Sequence, residues 1–270
     1  MALRVRLLLF VALPLTVLTV LAGAGIAWWR WDAARQPAVS DDIPAMDQAI
    51  AGALTAAGDQ AAVAISGVLR VATCRIGPVR EGGEFSRSAD LYTDPGSEDD
   101  LISRIAGGLP ASWQPRRRAA VGGNAAPMTA TIGPGVRLSV RQLGPGWVTA
   151  RARTGCTGGK QPAGSAPDST GSPATEVVNG LLSAIAVPPK EVRRHRVTCP
   201  QGGSLATLAV LSQPTDSADL TNRLRTRLPG GARLFTSVSN RIAYRDGPVS
   251  VIVAASDDNT AVTVRHTTTC

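Results

Sequence analysis

Val71-Ala72-Thr73-Cys74 and Arg196-Val197-Thr198-Cys199 are the two stretches on which the fold of this chain turns. Each reaches a cysteine through a threonine, and Gly82-Gly83 follows the first as Gly202-Gly203 follows the second. Further on, Pro95, Asp100, Leu101, Arg104, Ile105, Leu109 and Pro110 stand opposite Pro214, Asp219, Leu220, Arg223, Leu224, Leu228 and Pro229, at a constant offset of 119 with one conservative change. After a loop of differing length, Val148, Thr149, Arg151, Thr154 and Cys156 fall opposite Val262, Thr263, Arg265, Thr268 and Cys270. Upstream, Pro44-Ala45-Met46-Asp47 resembles Pro173-Ala174-Thr175-Glu176. Two units of about 100 residues are too large and too few for a solenoid. The sequence therefore reads as one module written twice, over residues 44–156 and 173–270.

Each copy predicts an α+β unit resembling an α/β sandwich, with a mostly antiparallel sheet. An apolar helix comes first, near Ala45–Ala57 and Ala174–Ala186, and a strand then runs to the first cysteine. A second strand follows, Ser86–Thr93 or Leu205–Ser212. Next comes a helix after Pro95 or Pro214, N-capped by Ser97 or Asp216, with Asp100–Arg104 and Asp219–Arg223 as i,i+4 pairs. In the remainder, Val136, Leu138 and Val140 alternate with Arg137, Ser139 and Arg141, the period of a half-exposed strand. Gly144-Pro145-Gly146 and Asp257-Asp258-Asn259 supply turns. Residues 157–172 form a linker of glycine, proline and serine, reaching about 22 Å on average, so the copies move independently unless an interface forms between them.

Ahead of the modules, residues 7–29 are apolar and uncharged. As a helix they span about 34 Å, enough for a bilayer core of about 30 Å. Arg4 and Arg6 precede the stretch, and Trp28, Trp29 and Trp31 follow at the depth where amphipathic rings settle. The expectation is a retained signal anchor, with residues 1–6 cytoplasmic and 30–43 a stalk. A cleaved signal peptide is the rival, but its apolar region is usually about 7–15 residues. Arginine counts on the two sides tie, so orientation rests on the cysteines. Gly23 and Ala27 offer a small-xxx-small contact for a partner helix.

Four cysteines allow three pairings. Duplication selects Cys74 with Cys156 and Cys199 with Cys270, one bridge inside each module. Such bridges belong to an oxidising, extracytoplasmic compartment, and each closes a long loop, worth about 4 kcal/mol. The alternative of four free thiols requires the inverted topology.

Catalytic signatures are missing. The chain has no H-E-x-x-H, G-x-S-x-G, S-x-x-K or G-x-G-x-x-G, and no phosphate loop around Lys160. No cofactor, metal centre or catalytic residue is expected. Its two histidines, His195 and His266, each lie four residues before a cysteine. If their strands run parallel, the rings can meet on one face as a metal or pH-sensing pair; otherwise they are polar residues on arginine-rich strands. The acidic pairs Asp99-Asp100 and Asp257-Asp258 read as a helix first turn and a hairpin turn.

The net charge of +8 is carried almost wholly by arginine. One concentration stands out. A hairpin turning at Gly144–Gly146 sets Ser139 opposite Arg151 and Arg137 opposite Arg153, with Arg141 on the same face and Arg116, Arg117 and Arg118 at its border. Like charges opposed across a sheet are unfavourable, whereas converging guanidinium groups hold phosphate or carboxylate bidentately. The bland alternative is a solvated face neutralised by Glu81, Glu84 and Asp90 or by salt. Expected partners are the membrane, through the N-terminal helix, and an anionic envelope polymer, lipid head groups or an acidic protein. Nucleic acid is not expected, since stacking aromatics are absent from the face. The leading expectation is a non-enzymatic binding or assembly module at the cell surface. An accessory subunit of a larger envelope complex, or a hydrolase with an unfamiliar site, are the alternatives.

Overall fold

The computed structural model describes residues 38–76, 80–120, 122–162, 172–199, 202–215, 219–238, 240–256 and 258–269, together with Gly23 and Trp28. The chain divides into two units, Met1–Ala38 and Val39–Cys270, and every element below lies in the second. The expected anchor at 7–29 lies outside the described residues apart from Gly23 and Trp28. Among the described residues no helix is long and apolar enough to cross a membrane.

The first half runs α1 (Val39–Ala57), β1 (Ala62–Ile65), β2 (Leu69–Arg75), β3 (Glu81–Tyr92), α2 (Glu98–Gly108), a 3-10 turn (Ala111–Trp113), β4 (Arg116–Arg117), β5 (Met128–Ile132), β6 (Val136–Gly144) and β7 (Trp147–Thr154). The second runs α3 (Pro173–Ala184), β8 (Pro189–Thr198), β9 (Ser204–Ser212), α4 (Leu220–Arg225), β10 (Arg233–Val238), β11 (Arg241–Asp246), β12 (Val249–Ala255) and β13 (Val262–Thr268). The first sheet has the order β1-β3-β7-β6-β5-β4, with β2 also on β3, and the second β10-β11-β12-β13-β9-β8. These are the same order once β1 and β2 together are matched to β8. All pairings are antiparallel. The α+β class and the two antiparallel modules are thus present in the fold.

One face of each sheet carries its helices. In the first, Met128, Ala130, Ile132, Val136, Leu138 and Val140 alternate inward onto α1 and α2. Aromatic side chains are few, and α1 compensates with small residues: Gly52 leaves room for Trp113, whose ring a Cβ there would meet at 3.1 Å. In the second sheet, Val251, Val253, Val262 and Val264 pack with α3 and α4. Gly146 is required at the β6–β7 turn. Its φ is +66°, and a Cβ would meet the Thr93 carbonyl oxygen at 2.7 Å.

Several local expectations change. The first helix begins at Val39, so Val39–Ile43 is helix and not stalk; Asp41 and Asp42 in its first turn suit the helix dipole, and the Val39 N–H donates to the Gly158 carbonyl at 2.9 Å. Ser97 stands at the N-cap of α2 but makes no side-chain cap bond. Glu98 bonds the loop instead, accepting from the Gly96 N–H at 3.0 Å and from the Gly146 N–H. Asp216 lies outside the described residues, and Asp219 is the N-cap of the short α4. Neither i,i+4 pair forms among the described residues, because Arg223 turns to the Ile185 carbonyl while Asp100 and Arg104 stay in solvent.

Cys74 and Cys156 form a disulfide that ties β2 to the end of β7, across 82 residues. Such a bond is the mark of an oxidising compartment. Cys199 is also disulfide-bonded, and Cys270 lies outside the described residues.

The two sheets do not swing freely on the linker, because an interface forms. Ala62, Ala64 and Tyr92 of the first sheet bury a common core with Phe235, Ala243 and Ile252 of the second. Arg265 bonds Asp90 at 2.6 Å and Arg233 bonds Asp94 at 3.0 Å. The Ile65 N–H donates to Thr207 Oγ1 at 3.0 Å, and Arg245 donates to the Gly58 carbonyl at 2.7 Å. Tyr92 and Trp147 stack at 5.9 Å beneath Arg241, whose guanidinium carbon lies 4.5 Å from the Trp147 ring centre. The linker's first residues are held as well, since Thr157 bridges Gly83 and Gln161 accepts from the Arg70 N–H at 3.2 Å.

Candidate functional site: an arginine face on the first sheet

The hairpin β6–β7 has the register that alternation and turn predict. Arg137 stands opposite Arg153, Ser139 opposite Arg151, and Arg141 opposite Thr149. Pairing continues across the sheet into rows. One runs Arg116, Thr129, Ser139, Arg151, Ser88; the next runs Thr131, Arg137, Arg153, Ser86. Because paired residues share a face, these rows lie on the surface opposite α1 and α2. Arg116, Arg118, Arg137, Arg141, Arg151 and Arg153 are all exposed.

Two open grooves cover this surface and meet at Thr131 and Arg137. The larger, of about 760 Å³, is lined by Arg137, Arg141, Arg151 and Arg153, with Glu84 at its edge; the smaller, of about 470 Å³, is bordered by Arg116, Arg117 and Arg118.

Of the three carboxylates that could neutralise this face, one does so, one is engaged elsewhere and one is unpaired among the described residues. Glu84 pairs with Arg153, but Asp90 turns to Arg265 of the second module. Among the described residues Arg116, Arg118, Arg137, Arg141 and Arg151 have no ion-pair partner, and Glu81 has none either. Arg117 alternates with Arg116 and so points to the helical side. There it bonds Asp99 in the first turn of α2, and that bond, ahead of one from the Ala126 N–H, lowers the Asp99 pKa. All seven arginines singled out in the sequence border the open surface, with Arg117 engaged by Asp99 and Arg153 by Glu84.

Thr129, Thr131 and Ser139 supply hydroxyls between the guanidinium groups, and the sequence reading did not include the two threonines. Their signal was available: Thr129 and Thr131 alternate with the buried Met128, Ala130 and Ile132, as Arg137 and Ser139 alternate with Val136 and Leu138.

The histidines are not brought together. His195 pairs with Thr207, whose other neighbour is Thr267, whereas His266 pairs with Leu208. Adjacent positions on β9 point to opposite faces, so one ring faces the first module and the other faces α3. Among the described residues no group of histidine, cysteine and carboxylate side chains is placed to hold a metal. Asp258 accepts a bond from the Thr260 N–H at 3.1 Å in its turn, and Asp257 lies outside the described residues.

No family model matches this chain, and no curated protein matches it significantly. Among solved structures, a crystal structure of MucB in complex with MucA(peri) is similar at 11% identity, covering 80% of this chain and 91% of that one, with a TM-score of 0.14. The complex structure of Pseudomonas aeruginosa MucA/MucB, also at 11% identity, covers 83% and 93% with a TM-score of 0.13. Superpositions this poor carry no argument about fold or function.

Proposed function

We propose that this chain is a non-enzymatic, extracytoplasmic binding protein, tethered by residues 7–29, that holds an anionic envelope polymer on the arginine face of its first sheet. The observation that carries the proposal is the set of five exposed arginines without an ion-pair partner, interleaved with Thr129, Thr131 and Ser139 over two confluent grooves. Holding like charges opposite one another costs stability. A ligand with repeated phosphate or carboxylate groups relieves that cost and gains bidentate bonds to each fork. The grooves are shallow and open, which suits a chain lying along the surface more than a small molecule enclosed by it.

Binding of the protein to a soluble polyphosphate, followed by fluorescence anisotropy at low and high salt, tests the proposal. Replacing Arg137, Arg151 and Arg153 together by glutamine is expected to weaken binding at least about tenfold and to flatten its salt dependence. Glu84→Gln, which frees Arg153, is expected to strengthen it. Undiminished binding by the triple variant overturns the reading. Preference for anionic vesicles or an acidic polypeptide over the polymer would reassign the ligand to those classes.

A further inference from the structure

The second sheet carries a different cavity on its helical side. Its floor is a single row across five strands, in which Arg194, Leu208, His266, Val251 and Tyr244 are paired in succession. Its roof is the start of α3 at Pro173, Ala174 and Val177. The space is about 400 Å³, within the range of small-molecule sites, about 300–1,000 Å³.

Two features mark this space as more than a packing gap. The walls are apolar, yet they carry two polar side chains, His266 at 4% exposure and Tyr244 at 2%. The corresponding row of the first module is closed. There Arg87, Ala152, Leu138 and Ala130 are paired across the sheet, and Arg87 is bonded to Asp47 of α1. Helix α1 also begins five residues before Pro44, and its buried Val39 seals the sheet end against Gly159. In the second module α3 begins at Pro173, the counterpart of Pro44.

We infer that α3 and the second sheet form a binding site for an amphiphile whose apolar body fills the cavity and whose carboxyl or carbonyl head accepts hydrogen bonds from His266 and Tyr244. The head belongs at the middle of the row, on His266. Tyr244 and Arg194 lie two strands away on either side, about 10 Å by strand spacing, and both side chains are long enough to lean inward. Burial lowers the His266 pKa and pushes Tyr244 up to about 12, with Asp246 adding to the latter. Both are therefore neutral at pH 7 and act as uncharged donors. An ammonium head has no lone pair with which to accept these bonds, so the row favours a carboxyl head over a cationic one. This inference is independent of the arginine face, which lies on the other module.

Photolabelling of the full-length chain with a diazirine derivative of decanoic acid tests it, with labelled sites mapped by peptide mass spectrometry. Label is expected on α3 and β12, displaced by decanoate, displaced about tenfold less well by decanol, and not by decylammonium. Val177→Trp, at a half-exposed position on the roof, is expected to abolish that label. Tyr244→Phe removes one oxygen and is expected to weaken competition by decanoate about fivefold, with the far-ultraviolet circular dichroism unchanged. Tyr244→Phe decides the matter should the tryptophan variant fail to fold. Label scattered over the surface, label that survives Val177→Trp in a folded protein, equal competition by all three amphiphiles, or decanoate competition unchanged in Tyr244→Phe would overturn the inference.

Discussion

The non-helical faces of the two sheets occupy equivalent places in a duplicated fold and have opposite fates. In the second module, Phe235, Ala243, Ser250, Ile252 and Thr267 are all buried against the first. In the first module the comparable surface, with Arg137, Ser139, Arg151 and Arg153, lies open. The cause is an offset contact. The second sheet lays the middle of its face on β1 and β3, at one side of the first sheet, and contact ends at Trp147. A head-to-tail contact of this kind uses different surfaces on its two partners, so one copy of the face is consumed and the other is left over. The side chains follow that division. Ile252 stands on the covered face where the open face has Ser139, and Arg265, the covered counterpart of Arg151, pairs with Asp90 across the interface.

Exchanging residues between the two faces breaks or sharpens this comparison. Ile252→Arg gives the covered face an arginine like those of the open one. Asp90 is already held by Arg265, the cross-strand neighbour of Ile252, so a second buried guanidinium there has no carboxylate of its own and costs about 3 kcal/mol or more, expected as a large fall in the urea midpoint. The reverse exchange, Ser139→Ile, places the covered face's residue on the open sheet and is expected to change stability by less than about 0.5 kcal/mol. Equal effects from the two would show that the sheets do not meet as described.

A smaller effect is expected at the edge of contact. Arg241 lies over both Trp147 and Tyr92, and a partly desolvated cation–π contact is worth about 1–2 kcal/mol. Its Nε is buried without a partner, which offsets part of that gain. Arg241→Ala is therefore expected to cost about 1 kcal/mol in thermal or urea unfolding, with a change in tryptophan fluorescence as Trp147 loses its cover.

The smallest effect is a pH dependence at the same junction. His195 lies against Gly67, and burial first, then the charges of Arg87, Arg193 and Arg265, bring its pKa down from 6.5 to about 4. The unfolded chain therefore takes up a proton near pH 6.5 that the folded chain refuses until about pH 4. The stability contributed by the neutral ring is complete above pH 6.5 and is lost progressively as pH falls toward 4. His195→Gln is expected to reduce this slope in melting temperature between pH 6.5 and 4 without removing it, because His266 is shifted in the same direction.

Much of this architecture was legible in the residues. The offset of 119 between Pro95–Pro110 and Pro214–Pro229 predicts two modules, and both sheets have one strand order. The Cys74–Cys156 bridge follows from the same repeat. The register of Arg137 on Arg153 was readable because it depends only on a period of two and a turn at Gly146, both local. The ion pair of Arg117 was not readable because a two-residue strand gives no alternation to read, and its partner Asp99 is on α2, across the sheet. The start of α1 was set too late because the anchor of Val39 is the Gly158 carbonyl, more than a hundred residues away.

By itself, the sequence determined the repeat, the element types, the first disulfide and the facing of each strand, because periodicity and spacing are properties of neighbouring residues. Only the tertiary structure decided which of two equivalent faces stays open, that His195 and His266 lie on opposite sides of their sheet, and that a cavity remains beneath α3. Each of those depends on how surfaces distant in the chain pack together, and packing is settled by shape and buried area summed over both modules at once.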